Sequence, residues 1–416
     1  MKVRGYVLGL DMPERAMLAR VNRVELLGEG DQARTSYELD SIDQLEINTP
    51  MAELAAGGRR QPFAVVRVMT TASRFCDLIG VEPQEGDWLA FESGPRAVGK
   101  TRQDRIQAWH AQLTEAGYTD ISRGYVFGAR LVYRDGEGAP ASVGAKAPLS
   151  ALAARVRVMK AFPRSVVASA AKIRKALTGF TIEQVRIRDV GQASFVTLLD
   201  GRGRPRVHFD AGWPLGFNYR GTPKELPVEF GRKAPIILSH WDWDHLQAYD
   251  RVPELKDHPW IVPSQDLSPG AARIMEELKA KGLLIGVGAS VSVGWGELGV
   301  CTGAPSETNH SGLALRVHLD GGHNVLLVGD AHYHMTPAPL RAAPLHGLVV
   351  THHGAHFDGP VPPAASRLSR AIISCGHGNV YRHPRLGAMT KHTVQGWRLQ
   401  RTSTFRSDKR GDRWLV

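Results

Sequence analysis

From Thr181 onward the chain alternates short apolar runs with polar turns: "IEQVRIRDV", "ASFVTLLD", "GRGRP", "RVHFDAG". That strand–turn–strand texture predicts a β-rich α/β domain. The first 150 residues mix strand-like runs ("PFAVVRV", "DWLAFES", "ARLVY") with "TRQDRIQAWHAQLTEAG". In this last stretch Ile106, Trp109 and Leu113 recur at helical spacing and Gly117 offers a stop, which predicts a helix over 101–117. Residues 134–148, "RDGEGAPASVGAKAP", have linker composition. The patterns divide the chain into a mixed α+β domain over 1–150, a basic helical connector over 151–178 and a third segment over 179–416.

Five stretches in the last segment each carry an apolar run into polar, ligand-capable residues. They are "RVHFDAG" with Asp210, "PIILSHWDWDH" with His240, Asp242, Asp244 and His245, "ETNHSG" with Asn309 and His310, "VLLVGDAHYH" with Asp330, and "GLVVTHHGAH" with His352 and His353. A lone "GD" or "HH" is ordinarily a turn, and His332 and His334 are read that way. Together the five suggest strand ends that gather ligands at one edge of a sheet. Histidine with aspartate suits Zn²⁺ or Mn²⁺, and a carboxylate such as Asp330 can bridge two ions. Two ions about 4 Å apart can activate water and clamp a phosphoryl oxygen.

The order of these motifs resembles the metallo-β-lactamase fold, and within it the hydrolase domain of the competence (ComEC-type) DNA-uptake channel family. "RDVGQASF" is similar to that family's DVGQG-type opening, "HFDAG" to its Asp-x-Gly strand end, and "SHWDWDH" to its HxDxDH signature. "LLVGD", "THHGAH" and "ISCGHGNVYRHP" follow in the family's order. The resemblance covers 180–416 and departs from the family at Ala193, Ala355 and Arg382. It implies an αββα sandwich with one ion held by His240 and Asp242. A second ion would be held by Asp244, His245 and His353, with Asp330 bridging. Asn309 occupies the place where tight two-zinc members supply a histidine, so the first ion is expected to be looser, or to be Mn²⁺. His352, Asn379 and His383 are placed near the substrate, where His352 or His383 would protonate a leaving oxygen. His352 equally stands as a ligand in place of His353. Asp210 is expected to orient a ligand histidine, and Asp244 to join the catalytic set. Trp241 and Trp243 either pack in the core or stack on a base. Asp189 and Gly191 shape the opening turn.

Charge adds a partner class. The chain carries 52 Lys and Arg against 41 Asp and Glu, a formal net charge of +11. Residues 151–180 hold seven of these cations with no acid, and the tail from Arg382 holds nine against Asp408 and Asp412. Such stretches attract phosphate polyanions, although they serve equally well as a solvated face. The three cysteines are too far apart in sequence to form a CxxC pair. With no leader-like or bilayer-length apolar stretch, they point to a cytoplasmic protein.

"GPRAVGKT" over 94–101 matches the phosphate-cradling pattern, with Lys100 and Thr101 in the ligand roles if a strand precedes it and a helix follows. Its bland reading is a glycine-rich turn. The leading expectation is a metal-dependent phosphodiesterase or nuclease acting on DNA or RNA. The alternatives are a hydrolase of small esters, thioesters, lactones or phosphoesters, and a non-catalytic metal-binding module. The N-terminal domain is expected to select a substrate or a protein partner.

Overall fold

A computed structural model describes residues 7–28, 33–57, 62–96, 101–115, 117–136, 149–223, 229–403 and 410–415. It is a mixed α/β protein, with three sheets among the described residues. Its contacts divide it into two compact units, Arg4–Phe162 with Asp266–Ala280, and Pro163–Gln265 with Lys281–Val416. The basic stretch therefore splits: helix Leu149–Lys160 belongs to the first unit and helix Ala170–Ala176 to the second. Among the described residues no helix is long and apolar enough to cross a membrane. The linker-like residues 137–148 lie outside the described residues.

The first unit is a closed ring of strands. In spatial order these are Gly117–Tyr133, Trp88–Gly94, Arg15–Leu26, Thr35–Asp43, Phe63–Thr70 and Arg105–Thr114, and the last pairs back onto Gly117–Tyr133. Each neighbouring pair in the ring is antiparallel, and Val7–Asp11 adds a parallel strand against Gly117–Tyr133. Closure leaves the ring without an open edge, and alternate residues fill its interior. Met17, Ala19, Val21, Leu39, Val66, Val68, Leu89, Phe91, Ile106 and Val126 make that core. Helix Ala72–Ile79 adds Phe75 and Ile79. Thr71 caps its start by accepting from the Arg74 amide, and Gly80 ends it in the left-handed region.

The expected helix over 101–117 is instead strand Arg105–Thr114. Ile106, Ala108 and His110 are buried while Arg105, Gln107 and Trp109 are half-buried, a period of two. From Ala111 the burial changes parity, so Ala111 and Leu113 are buried while Gln112 and Thr114 are half-buried. Ile106 and Leu113, seven apart and on opposite parities, are therefore both buried, which imitates helical spacing. The same strand removes the helix a phosphate-cradling loop needs after "GPRAVGKT". Residues 97–100 of that loop lie outside the described residues, and Thr101 bonds Asp104 through its amide and its hydroxyl.

The second unit contains two seven-stranded sheets. One runs Leu284–Val287, Trp260–Pro263, Ile236–Ile237, Pro205–Phe209, Val196–Leu199, Gln184–Ile187, Arg413–Leu415, with the first four mutually parallel. The other runs Val291–Val293, Gly296–Val300, Leu313–Leu319, His323–Leu327, Gly347–Val349, Arg370–Ile373, Arg398–Arg401, with the last four mutually parallel. A single core joins Val185, Val196, Leu198, Val207, Phe209, Ile237 and Ile261 of the first sheet to Leu298, Leu315, Val317, Val325, Leu327 and Ile372 of the second. The second sheet's opposite face packs Ala314, Leu326, Leu348 and Ala371 against Tyr333, Leu340, Phe357 and Trp397. Burial on both faces explains why these strands read as continuous apolar runs. Burying each such side chain fully is worth about 1.5–3 kcal/mol.

Candidate metal centre

Parallel strands deliver their carboxyl ends to the same side of a sheet, where binding groups gather in open α/β folds. Asp210 follows strand Pro205–Phe209, and the 239–245 stretch follows Ile236–Ile237. Asp330 follows His323–Leu327, and His352 and His353 follow Gly347–Val349. One ligand atom each from Asp244, His245, Asp330 and His353 lies within 4.8 Å of the others, all four residues buried, in a group that could hold a metal ion.

Asp330 sits at the middle. Its Oδ1 is 3.0 Å from His245 Nε2 and 3.8 Å from His353 Nε2. Its Oδ2 is 3.5 Å from His352 Nε2 and 3.9 Å from His240 Nε2. His240 Nε2 in turn lies 3.7 Å from an oxygen of Asp242, and His353 Nε2 lies 3.3 Å from Asp244. The two carboxylate oxygens thus face two different pairs of imidazoles.

The rings are oriented from behind. His245 Nδ1 is 2.7 Å from Asp210 Oδ2, and Oδ1 of Asp210 accepts the Ser239 amide at 2.7 Å. His353 Nδ1 reaches the Ser374 carbonyl at 2.8 Å, and His240 Nδ1 reaches Ser239 Oγ at 3.0 Å. With Nδ1 occupied in this way, each ring turns Nε2 inward. The Nε2 atoms of His240 and His353 are buried without a hydrogen bond. Buried polar atoms seldom go unsatisfied in a native fold, and metal coordination would satisfy both.

Electrostatics agree with that fit. Burial opposes a charge on His245, but Asp330 and Asp210 overcome it and raise its pKa well above the ordinary value. Burial would likewise push Asp330 up, but His245, His352 and His353 hold it well below the usual carboxylate range. The carboxylates therefore demand local positive charge, which a divalent cation supplies more fully than protonated imidazoles.

Backbone geometry adds to the construction. His352 and His353 both occupy the left-handed region, with φ 49 and 52. For non-glycine residues this costs roughly 1–3 kcal/mol each, a strain typical of functional turns. Gly212 of "DAG" lies where a Cβ would overlap the Asp244 carbonyl. Its amide donates to Ser194, whose own amide donates to Asp244, and the Ala211 amide donates to His245. The strand end after Phe209 is thereby laced directly to the turn that carries the acids.

The remaining expected residues take distinct places. His383 is buried, with its ring 5.7 Å from that of His352 and its Nδ1 3.4 Å from Gln192 Nε2. Asn379 braces that loop: Nδ2 donates to the carbonyls of Gly376 and His383, and Oδ1 accepts the His383 amide. Asn309 is buried, while His310 packs its ring 4.3 Å from that of His332. Trp241 and Trp243 are each 1% exposed, so neither offers a face to a base, and Trp241 donates to the Pro263 carbonyl. Asp189 forms a two-point ion pair with Arg410. Sequence reasoning passed over Ser239, Gln192 and Ser374, although all three sit inside the quoted motifs.

No protein-family model matches the chain, and no curated protein matches its sequence.

Proposed function

We propose that the second unit is an αββα sandwich of the metallo-β-lactamase type and a metal-dependent hydrolase of phosphodiesters, with DNA or RNA as substrate. The observation that supports this best is the division of the Asp330 oxygens between two imidazole pairs, an arrangement suited to a bridging carboxylate. One ion would be held by Asp244, His245, His353 and Asp330 Oδ1. A second, looser one would be held by His240, Asp242 and Asp330 Oδ2. With only Asn309 from the "NHSG" stretch to add, that second place favours an oxygen-liking ion such as Mn²⁺.

Divalent ions held by these residues would supply Lewis acidity and lower the pKa of a water towards neutrality. The chain's own groups do the rest. Asp210 and the Ser374 carbonyl fix the tautomers of His245 and His353. His352, or His383 held by Asn379 and Gln192, delivers a proton to the leaving oxygen. Buried walls around the carboxylates limit water and strengthen each charge interaction. The basic helix Ala170–Ala176 of the same unit would offer phosphate contacts that carry no sequence information. Three free cysteines, with no disulfide, suit a cytoplasmic setting.

The test is cleavage of single- and double-stranded DNA and RNA by the wild type and Asp330→Ala, each with Mn²⁺, Mg²⁺ and Zn²⁺. Metal-dependent cleavage that Asp330→Ala abolishes is expected. Turnover of p-nitrophenyl carboxylic esters with no nucleic acid cut would transfer the reading to small esters. Metal uptake with no turnover of any substrate would leave a binding module.

A further inference from the structure

Beside the metal centre lies a cavity of about 290 Å³ whose wall includes Arg382, Arg401, His377, His383, Asn379 and Ser403. Among the described residues lining it there is no aspartate or glutamate. A concave site walled by two arginines, two histidines and a serine, with no acid among its described residues, favours an anion. Phosphate suits it best, because guanidinium forks match phosphate oxygens in pairs.

The cavity is preformed. Asn379 ties both ends of the 376–383 loop. The Val380 amide donates to Asn218, and the Gly376 amide donates to Gln192. Gly221 approaches the same loop so closely that a Cβ would lie 2.8 Å from the His377 carbonyl. Arg382 holds φ 62, a left-handed conformation that non-glycine residues adopt at a cost. A cost borne at an exposed arginine on a cavity wall is accounted for if its position serves a ligand. Cys375, whose thiol burial pushes up to about 11, contributes a neutral wall and no nucleophile.

The cavity connects to the metal centre through two rings. His383 lines it, His352 lies 5.7 Å away ring to ring, and His352 Nε2 is 3.5 Å from Asp330. An anion held in the cavity would therefore be separated from the Asp330 carboxylate by the rings of His383 and His352. We infer that this cavity binds the phosphate neighbouring the one that is cleaved, so that the substrate is a strand with consecutive phosphates. The inference rests on the hydrolase reading above and narrows its substrate class.

Two measurements separate the failure of one from the failure of the other. Calorimetric titration of inorganic phosphate and of thymidine 5′-monophosphate into chelator-treated Asp330→Asn protein reads the cavity without metal or turnover. Saturable binding at one site per chain is expected, weakened at least ten-fold by Arg382→Ala or Arg401→Ala in the same background. Binding that is absent, or indifferent to both arginine variants, overturns the inference whatever the enzyme does. With metal present, the same variants in the otherwise wild-type chain should raise KM for a short oligonucleotide at least ten-fold more than KM for bis(p-nitrophenyl) phosphate, which has no neighbouring phosphate. Equal effects on both substrates also overturn it. Arginine-dependent phosphate binding without cleavage of any phosphodiester would instead sink the hydrolase reading and leave an anion site.

Discussion

Asp210 and His245 are joined by a 2.7 Å hydrogen bond while the other oxygen of Asp210 holds the Ser239 amide. One buried carboxylate therefore sets both an imidazole of the candidate site and the turn that carries it. Asp210→Ala should lower divalent-metal affinity by about 10- to 100-fold, the range usual for loss of such a partner. Competition against a chelating dye measures this, and affinity within two-fold of the wild type would refute the role.

Concentrated acids and imidazoles make the metal-free centre electrostatically expensive. An ion present at about 100 times its Kd should add roughly 2.7 kcal/mol of stability. The melting temperature of the chain should then rise by about 2–8 °C with Mn²⁺ or Zn²⁺ and fall on chelation. Asp330→Ala should remove most of that response in a thermal-shift experiment. A melting curve indifferent to metal and chelator would argue that the cluster holds no ion.

Gly212 is required by close approach, since a Cβ would overlap the Asp244 carbonyl. Gly212→Ala should cost about 3 kcal/mol, at the upper end for overpacking, and should displace the acids. Gly294 has open space where a Cβ would stand, so Gly294→Ala serves as the control with little change. Urea titration with metal analysis checks the pair, and equal stability of the two variants would contradict the packing argument.

His110 and His208 are buried, and desolvation lowers the pKa of each to about 3. In the unfolded chain each titrates near about 6.5. Between those values the unfolded state binds the extra proton. Their stabilising contribution is therefore complete above about pH 6.5 and is lost as the pH falls towards 3. Each should add a slope of up to about 1.4 kcal/mol per pH unit in that window. Urea unfolding from pH 3.5 to 7.5 should show a shallower slope for His110→Gln and for His208→Gln than for the wild type. Unchanged slopes would mean that these rings charge without resistance.

The stretches that meet at the candidate site were legible because each lies within a few residues of its own apolar strand, so local sequence carried both position and residue type. Asp210, the 240–245 stretch, Asp330, His352 and His353 could be named before any fold was known. The ring of the first unit could not, since closure depends on Arg105–Thr114 finding Gly117–Tyr133 and Phe63–Thr70 at once. Burial on both parities, Ile106 and Ala108 before Ala111 and Leu113, hid the two-residue period of that strand. Helix Pro269–Ala280 joins the first unit from far along the chain, where Asp40 accepts from the Ser268 hydroxyl and the Gly270 amide. Composition holds no trace of a contact of that range. Ser239 and Ser374 escaped notice because orienting a ring needs only a hydroxyl or a carbonyl, which almost any residue supplies.

Closure of the six-strand ring bears on how the protein breathes. Fraying ordinarily begins at a sheet's outermost strand, and the second unit offers such places at Val291–Val293 and Arg398–Arg401. The ring offers none, because each of its strands is zipped on both flanks. Amide protons there should exchange with solvent as a block, through collective opening, while those at the sheet margins exchange one by one.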